Sequence, residues 1–185
     1  RTQGALEELD DEIKALGAQA TLIKLDLRKG AQVDALGPSI FQRFGRLDIL
    51  LANAGVLGPI SPLGHIGDAE WNEVVEVNVT ANWRLIRTLD PLLKRSDGAR
   101  ALFVTSSVGS KPKAYWGAYA TSKAALDAMV RSYADEVANT PIRVNLVTPG
   151  PTRTSMRAKA MPGEDPMSLP APAEIAARML PLVLP

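Results

Sequence analysis

Tyr119 and Lys123 stand four residues apart in Ala118-Tyr119-Ala120-Thr121-Ser122-Lys123, with Ser106 thirteen residues before the tyrosine and Asn78 further upstream. Positions i and i+4 of a helix share a face, so an ammonium there can lie beside the phenol and favour its phenolate. A cation ~4 Å away at an effective dielectric near 20 is worth roughly 4 kcal/mol, or about three pKa units. A phenol that starts near about 10 then comes within reach of neutral pH, where one oxygen can both give and take a proton. The four residues read as a proton-transfer site. A Tyr-x-x-x-Lys pair alone arises often by chance, so its weight depends on the elements around it.

Two apolar runs end in small polar residues. Asp48-Ile49-Leu50-Leu51-Ala52 leads into Asn53-Ala54-Gly55, and Ala101-Leu102-Phe103-Val104-Thr105 leads into Ser106-Ser107-Val108-Gly109. In an open α/β sheet the carboxyl ends of the strands border the ligand crevice. Helical spacing of Leu6, Leu9, Ile13 and Leu16 before Gly17 predicts an amphipathic helix over residues 5–16, followed by a short strand at 20–25. Val33, Leu36, Ile40 and Phe44, before Gly45, predict the next helix, with a start blurred by Gly37-Pro38. Asp68 is the expected N-cap of a long helical pattern over 71–94 that Pro91 should kink or end. A strand at 101–105, a helix at 119–138, a strand at 143–147 and a helix at 172–184 opened by proline complete the pattern. Repeated strand-helix-strand units predict a parallel sheet with helices on both faces.

Composition excludes more than it selects. The 185 residues suit one domain able to bury a core. Lysine plus arginine number 21 against 20 aspartate plus glutamate, which leaves no basic footprint for nucleic acid. Without cysteine there is no disulfide frame or thiolate chemistry. The one histidine, His65, lies in a Gly/Pro-rich stretch, and no residue cluster has metal-ligand spacing. No apolar stretch approaches the ~20 residues of a membrane span, and no signal-peptide pattern is visible. A cytoplasmic protein acting on a small molecule is the expectation.

Asn53-Ala54-Gly55, Asn78, Ser106, Tyr119-x-x-x-Lys123 and Pro149-Gly150 together resemble, in order and spacing, the short-chain dehydrogenase/reductase family through nearly the whole chain. The resemblance implies a Rossmann-like, doubly wound α/β fold and an NAD(P)-dependent oxidoreductase that interconverts an alcohol and a carbonyl by hydride transfer. It makes Tyr119 the general acid/base, Ser106 the donor that steadies the substrate oxygen, and Lys123 both a ligand of the nicotinamide ribose and a depressor of the phenol's pKa. Ser107 is the fallback for Ser106. Asn78 corresponds to a helix asparagine that disturbs its helix locally and holds a relay water. For the cofactor the resemblance implies Asp26 at the adenine amine, Leu27 through its backbone, and Asn53, Ala54 and Gly55 under the adenosine ribose. Pro149, Gly150, Thr152 and Thr154 would grip the nicotinamide carboxamide, and Arg1 would meet a 2′-phosphate, favouring NADP over NAD. Leu57, Trp116, Met156 and Met161 are the expected border of a partly apolar substrate pocket. Residues 116–119, 151–157 and 162–166 are similar to a bacterial YciK-like branch, which leaves the substrate open. Family members commonly pair through the helices at 71–94 and 119–138, so a homodimer or homotetramer is expected by analogy.

One family element is missing from the pattern. Among fourteen glycines no two are separated by a single residue, so the Gly-rich phosphate-binding turn does not occur in this sequence. The chain opens on arginine, at the helix that follows the family's second strand, and closes inside an apparent helix. Residues 1–185 are therefore expected to form one incomplete dinucleotide-binding domain, without the first strand-helix-strand unit and the C-terminal end, and to hold nucleotide weakly alone. The four prolines at 151, 162, 166 and 170 predict a long mobile loop over the substrate. Two other readings stand beside the oxidoreductase. One is a catalytically silent Rossmann-type scaffold or cofactor-incompetent fragment. The other is a Ser-His-Asp hydrolase, which the single histidine and the lack of a Gly-x-Ser-x-Gly elbow disfavour.

Overall fold

The computed structural model describes residues 3–184. Helix α1 (Gln3–Ala15) ends at Gly17, whose φ of 81° lets the amide of Ala18 return to the carbonyl of Ile13 at 3.1 Å. The predicted strand at 20–25 does not form. A strand exists only against a neighbour, and none of the strands among the described residues pairs with this segment. The next predicted helix is split into α2 (Gly30–Asp34) and α3 (Leu36–Phe44) at Ala35, with Gly45 closing it at a φ of 74°. Pro38 sits in the first turn of α3, where a missing amide costs little.

Strands β1 (Ile49–Ala52), β2 (Arg100–Val104) and β3 (Arg143–Val147) lie in that order and are parallel, pairing Ala52 with Phe103 and Val104 with Val147. The crossover from β1 to β2 contains α4 (Asp68–Val75), a π-turn at Glu76–Thr80 and α5 (Ala81–Leu93); that from β2 to β3 contains α6 (Gly117–Glu136). The cap of helix α4 lies one residue earlier than expected. Gly67 is the N-cap, and Glu70 reaches back to accept its amide at 3.3 Å, so Asp68 lies inside the first turn. Pro91 stays within α5, which stops two residues later. The rest is α7 (Ser155–Ala160) and α8 (Pro172–Met179), the latter opened by its proline as expected and giving way to a 3-10 turn at Pro181.

Alternation along β1 sends Leu50 and Ala52 into the core and leaves Ile49 and Leu51 exposed. The core joins those two residues and Ala101 and Phe103 of β2 to Leu89 and Leu93 of α5 and Leu126, Val130 and Tyr133 of α6. Burying side chains of this size is worth about 1.5–3 kcal/mol each. The same contacts fix α5 and α6 against the sheet, and with them everything these helices carry to the strand ends. The architecture is a Rossmann-like parallel sheet flanked by helices.

Candidate active site

Parallel strands finish on one edge, so the segments after β1, β2 and β3 emerge side by side. The amide of Thr105 donates to the carbonyl of Val147 at 2.8 Å and extends the β2–β3 ladder to the residue before Ser106. Ser106 is itself extended, at φ −152° and ψ 146°, and its hydroxyl accepts the amide of Val108 at 3.5 Å to open the 3-10 turn Ser107–Gly109. That turn lies directly on α6. A Cβ at Gly109 would stand 3.0 Å from backbone atoms of Lys123 and Ala124, so any larger residue would push the turn off the helix by a few tenths of an ångström. The Ser106 side chain thereby stands near enough to the Tyr119 phenol to oppose the rise that burial imposes on it. Ser107 is exposed, which favours Ser106 as the partner.

Tyr119 and Lys123 are both buried. Lys123 Nζ donates to the Val104 carbonyl at 2.8 Å and lies 5.7 Å from the centre of the Tyr119 ring. Burial pushes this ammonium down to about 8, against an upward pull from Asp127. The phenol departs from the sequence expectation. Burial pushes it above its ordinary value, and the influence that lowers it is the hydrogen bond with Ser106. Lys123 is held by a strand carbonyl beneath the ring instead of at the phenol oxygen, so the expected depression toward neutrality does not arise from this arrangement.

Asn78 sits in the π-turn, fully buried, with both side-chain N–H donors and its oxygen engaged. Its Oδ1 accepts the amide of Val56 at 2.9 Å, while Nδ2 donates to the Val56 carbonyl at 2.9 Å and to Ser122 Oγ at 3.0 Å. Ser122 Oγ in turn donates to the Tyr119 carbonyl at 2.8 Å. Asn82 Nδ2 takes the Asn78 carbonyl at 2.9 Å. The expected local disturbance of the helix is therefore present, and Asn78 ties the segment after β1 to the first turns of α6.

Gly55 lies in that segment, where an added Cβ would come 3.3 Å from Asn78 Oδ1 and 3.7 Å from Lys123 Nζ. Asn53 and Ala54 beside it are exposed, and Pro149, half-buried, precedes Gly150, whose φ is 77°. Thr152 Oγ1 donates to the Gly150 carbonyl at 3.2 Å. Thr154 Oγ1 caps α7 by accepting the Arg157 amide at 3.1 Å, so its hydroxyl already has a structural task. Asp26 is likewise engaged. Arg28 donates to it from its backbone at 3.0 Å and from its guanidinium at 2.8 Å, which holds the carboxyl at about 2, well below the usual carboxylate range. The expected adenine acceptor thus has an arginine partner, with half-buried Leu27 between them. Arg1 lies outside the described residues.

Three of the four expected pocket residues gather at Tyr119. Leu57, Val108, Tyr119 and Ala120 form a buried cluster onto which Trp116 and Met156 pack, and the Trp116 and Tyr119 rings meet edge-on at 6.1 Å. Tyr115, at a φ of 70° rare for a non-glycine residue, makes the bend that introduces Trp116, and its carbonyl accepts the amide of Ser61 at 3.0 Å. Met161 belongs elsewhere. It lines a separate cleft of ≈ 280 Å³ with Arg153, Arg157 and Glu164. Residues 151–170, expected as a long mobile loop over the substrate, carry local structure of their own. They contain α7, a 3-10 turn at Pro166–Ser168 and an Arg157–Glu164 ion pair at 2.5 Å.

Residues 1–165 match the family model described as short chain dehydrogenase. The chain belongs to the short-chain dehydrogenase/reductase family. It is 45% identical over 140 residues to the uncharacterized oxidoreductase YciK of Escherichia coli K12, covering 76% of this chain and 55% of that protein. A solved short chain dehydrogenase from Salmonella enterica serovar Typhi superposes with a TM-score of 0.94 at 40% identity, covering 99% of this chain and 76% of that one. A Shigella flexneri chain assigned to the short chain dehydrogenases and complexed with NADP gives 0.93 at 38%, covering 99% and 77%. The chain thus spans little more than half the length of the curated relative it matches and about three quarters of these solved chains.

Around this candidate site the sequence reading overlooked four residues. Ser122 and Asn82 complete the links around Asn78, and Thr105 and Asp127 are hydrogen-bonded to each other beside Lys123. Spacing carried a signal for some of them. Ser122 is three residues after Tyr119 and Asp127 four after Lys123, so helical geometry alone puts both near the pair. Among the described residues no helix is long and apolar enough to cross a membrane, and no group of three metal-ligating side chains gathers.

Proposed function

We propose that this chain carries the reaction centre of an NAD(P)-dependent oxidoreductase that interconverts an alcohol and a carbonyl. One observation carries the reading: buried Lys123 lies beneath the ring of buried Tyr119 at the strand ends, and Ser106 acts on the same phenol. During reduction Tyr119 gives its proton to the substrate oxygen; during oxidation it takes one back. A phenol held above its ordinary value stays loaded as an acid through neutral pH. Ser106 donates to the same oxygen, where negative charge develops. Leu57, Trp116 and Met156 make the adjoining wall apolar and suit a substrate with a hydrophobic part.

The residues present fit a dinucleotide. At Gly55 the space a Cβ would fill opens beside Lys123 and Asn78, and Gly150 turns the chain away after Pro149. Asn53, Ala54, Gly55, Lys123, Pro149, Gly150, Thr152 and Thr154 would hold the nucleotide, with Leu27 and the Arg28-bound Asp26 toward its adenine. When bound, the nucleotide supplies or accepts the hydride. NADP is the favoured form, supported by the nucleotide in the Shigella flexneri relative and by the resemblance that gives Arg1 a 2′-phosphate. The reading places one dinucleotide-binding domain in a cytoplasmic homodimer or homotetramer, for which exposed Trp83 on α5 offers apolar surface.

The test is Tyr119→Phe in the full-length protein, with NADPH oxidation followed over a panel of aldehydes and ketones. Nucleotide affinity should stay nearly unchanged and turnover should fall by at least the ~10²-fold typical of positioned proton transfer. Equal turnover by the two proteins would remove Tyr119 from the reaction.

A further inference from the structure

Lys123 is 4% exposed, its ammonium donates to the Val104 carbonyl, and among the described residues it forms no ion pair. The groups facing it are Tyr119 and Asp127 on its own helix, Val104 on β2, and the Asn78 side chain near Gly55. Asp127 alone among them is an anion, one helical turn beyond Lys123 on the same face. Its carboxylate is not loose: Oδ1 accepts the hydroxyl of Thr105, a buried residue placed between Val104 and Ser106. Helix α6 therefore grips the end of β2 twice, through Lys123 at Val104 and through Asp127 at Thr105.

We infer that Asp127 is a positioning residue of the reaction centre, which registers Ser106 against Tyr119 through Thr105 and supplies the negative charge opposite the buried Lys123 ammonium. Three consequences follow from this geometry. Removing the charge while keeping the shape should make Lys123 harder to protonate, since burial then acts unopposed. Removing only the hydroxyl tether should leave that charge in place. Restoring a carboxylate should restore the protonation behaviour even where the tether is imperfect. The inference rests on the oxidoreductase reading for its purpose, though its electrostatic part is measurable without turnover.

The experiment follows the Lys123 side-chain nitrogen by NMR in 15N-lysine-labelled full-length protein, with the signal assigned from Lys123→Arg. Wild type should titrate at about 8. Asp127→Asn should move the midpoint below that value, Asp127→Glu should return it toward wild type, and Thr105→Val should move it least. Thermal melts on each variant confirm folding, and if Asp127→Asn does not fold, the Glu and Val variants still decide the order. A midpoint that stays put in Asp127→Asn overturns the inference, as does Thr105→Val moving it as far as Asp127→Asn. NADPH binding is measured on the same samples. Failure of wild type to bind it, with the Lys123 order as expected, would count against the oxidoreductase reading and leave the role of Asp127 toward Lys123 intact.

Discussion

The Asn78 side chain makes its bonds to residues 22 and 44 positions away, buried or part-buried, whereas residues 151–170 are held by side-chain bonds that reach no further than 14 positions and lie largely at the surface. The two regions border the same chemistry but are built for different tolerances. Long-range buried bonds polarise and reinforce one another and cannot be exchanged for water, so they fix distances between elements. Local bonds at a surface are readily replaced by solvent, and the segment they hold opens at low cost. The groups proposed to transfer the proton thus stand on the rigid frame, and the segment beside them, carrying Met156 onto the Tyr119 cluster, stands on the compliant one.

The largest effect expected from disturbing that contrast is at Asn78. Asn78→Ala leaves the amide and carbonyl of Val56 without their partner inside the protein and the Ser122 hydroxyl with only its bond to the Tyr119 carbonyl. The cost is on the order of 3 kcal/mol, summed over buried groups left unsatisfied. Urea unfolding should show it as a lower midpoint at unchanged slope. A change within a few tenths of a kcal/mol would mean that water replaces the amide freely, and the rigid half of the comparison would fail.

Lys123 should show the opposite sign. Below about 8 the folded protein carries a buried ammonium; between about 8 and the ordinary 10.5 it has lost that proton while the unfolded chain keeps it. Stability should therefore rise with pH across this window, by on the order of 3 kcal/mol in total. Lys123→Met should remove that rise and be the more stable protein at pH near 7, a gain reduced by loss of the bond to Val104. Denaturation of both proteins at several pH values checks it. Parallel curves for the two would show that burial of Lys123 has no such cost. The prediction makes Lys123 a residue retained for chemistry at the expense of the fold.

The sequence exposed the rigid region better than the compliant one, for a physical reason. Runs such as residues 101–105 and helical spacing such as Tyr119 to Lys123 are imposed by burial and periodicity, so they appear as pattern. The strand at 20–25 failed because pairing is a property of two segments and its own residues satisfy only half of it. In residues 151–170 prolines suggested disorder, while the bond that organises the segment joins Arg157 in α7 to Glu164 in the irregular chain beyond its end, where helical spacing does not apply. The upward-shifted Tyr119 was equally hidden. Helical spacing placed the ammonium on the correct face, but only the structure shows it donating to Val104 beneath the ring.

The smallest expected effect on global stability belongs to that ion pair, which makes it the sharpest probe of the compliant region. Arg157 meets Glu164 with two parallel bonds, at 2.5 and 2.6 Å, and its backbone amide is also the donor that Thr154 caps. Arg157→Ala removes the bidentate pair and keeps the cap. Because both side chains remain partly in solvent, the melting temperature should hardly move. Local opening should respond more strongly, with faster hydrogen exchange in α7 and faster cleavage by trypsin at Arg153 or Lys159 than in wild type. Acid should mimic the substitution in the unmodified protein. The Arg157 hydrogen bond holds Glu164 below its ordinary value, so the pair persists above the usual carboxylate range and is lost as pH falls through the lowered one. Exchange in α7 should accelerate there while the β2 core stays protected. If α7 and β2 instead lost protection together, in the variant or in acid, the two regions would form one cooperative unit and the difference in tolerance between them would not exist.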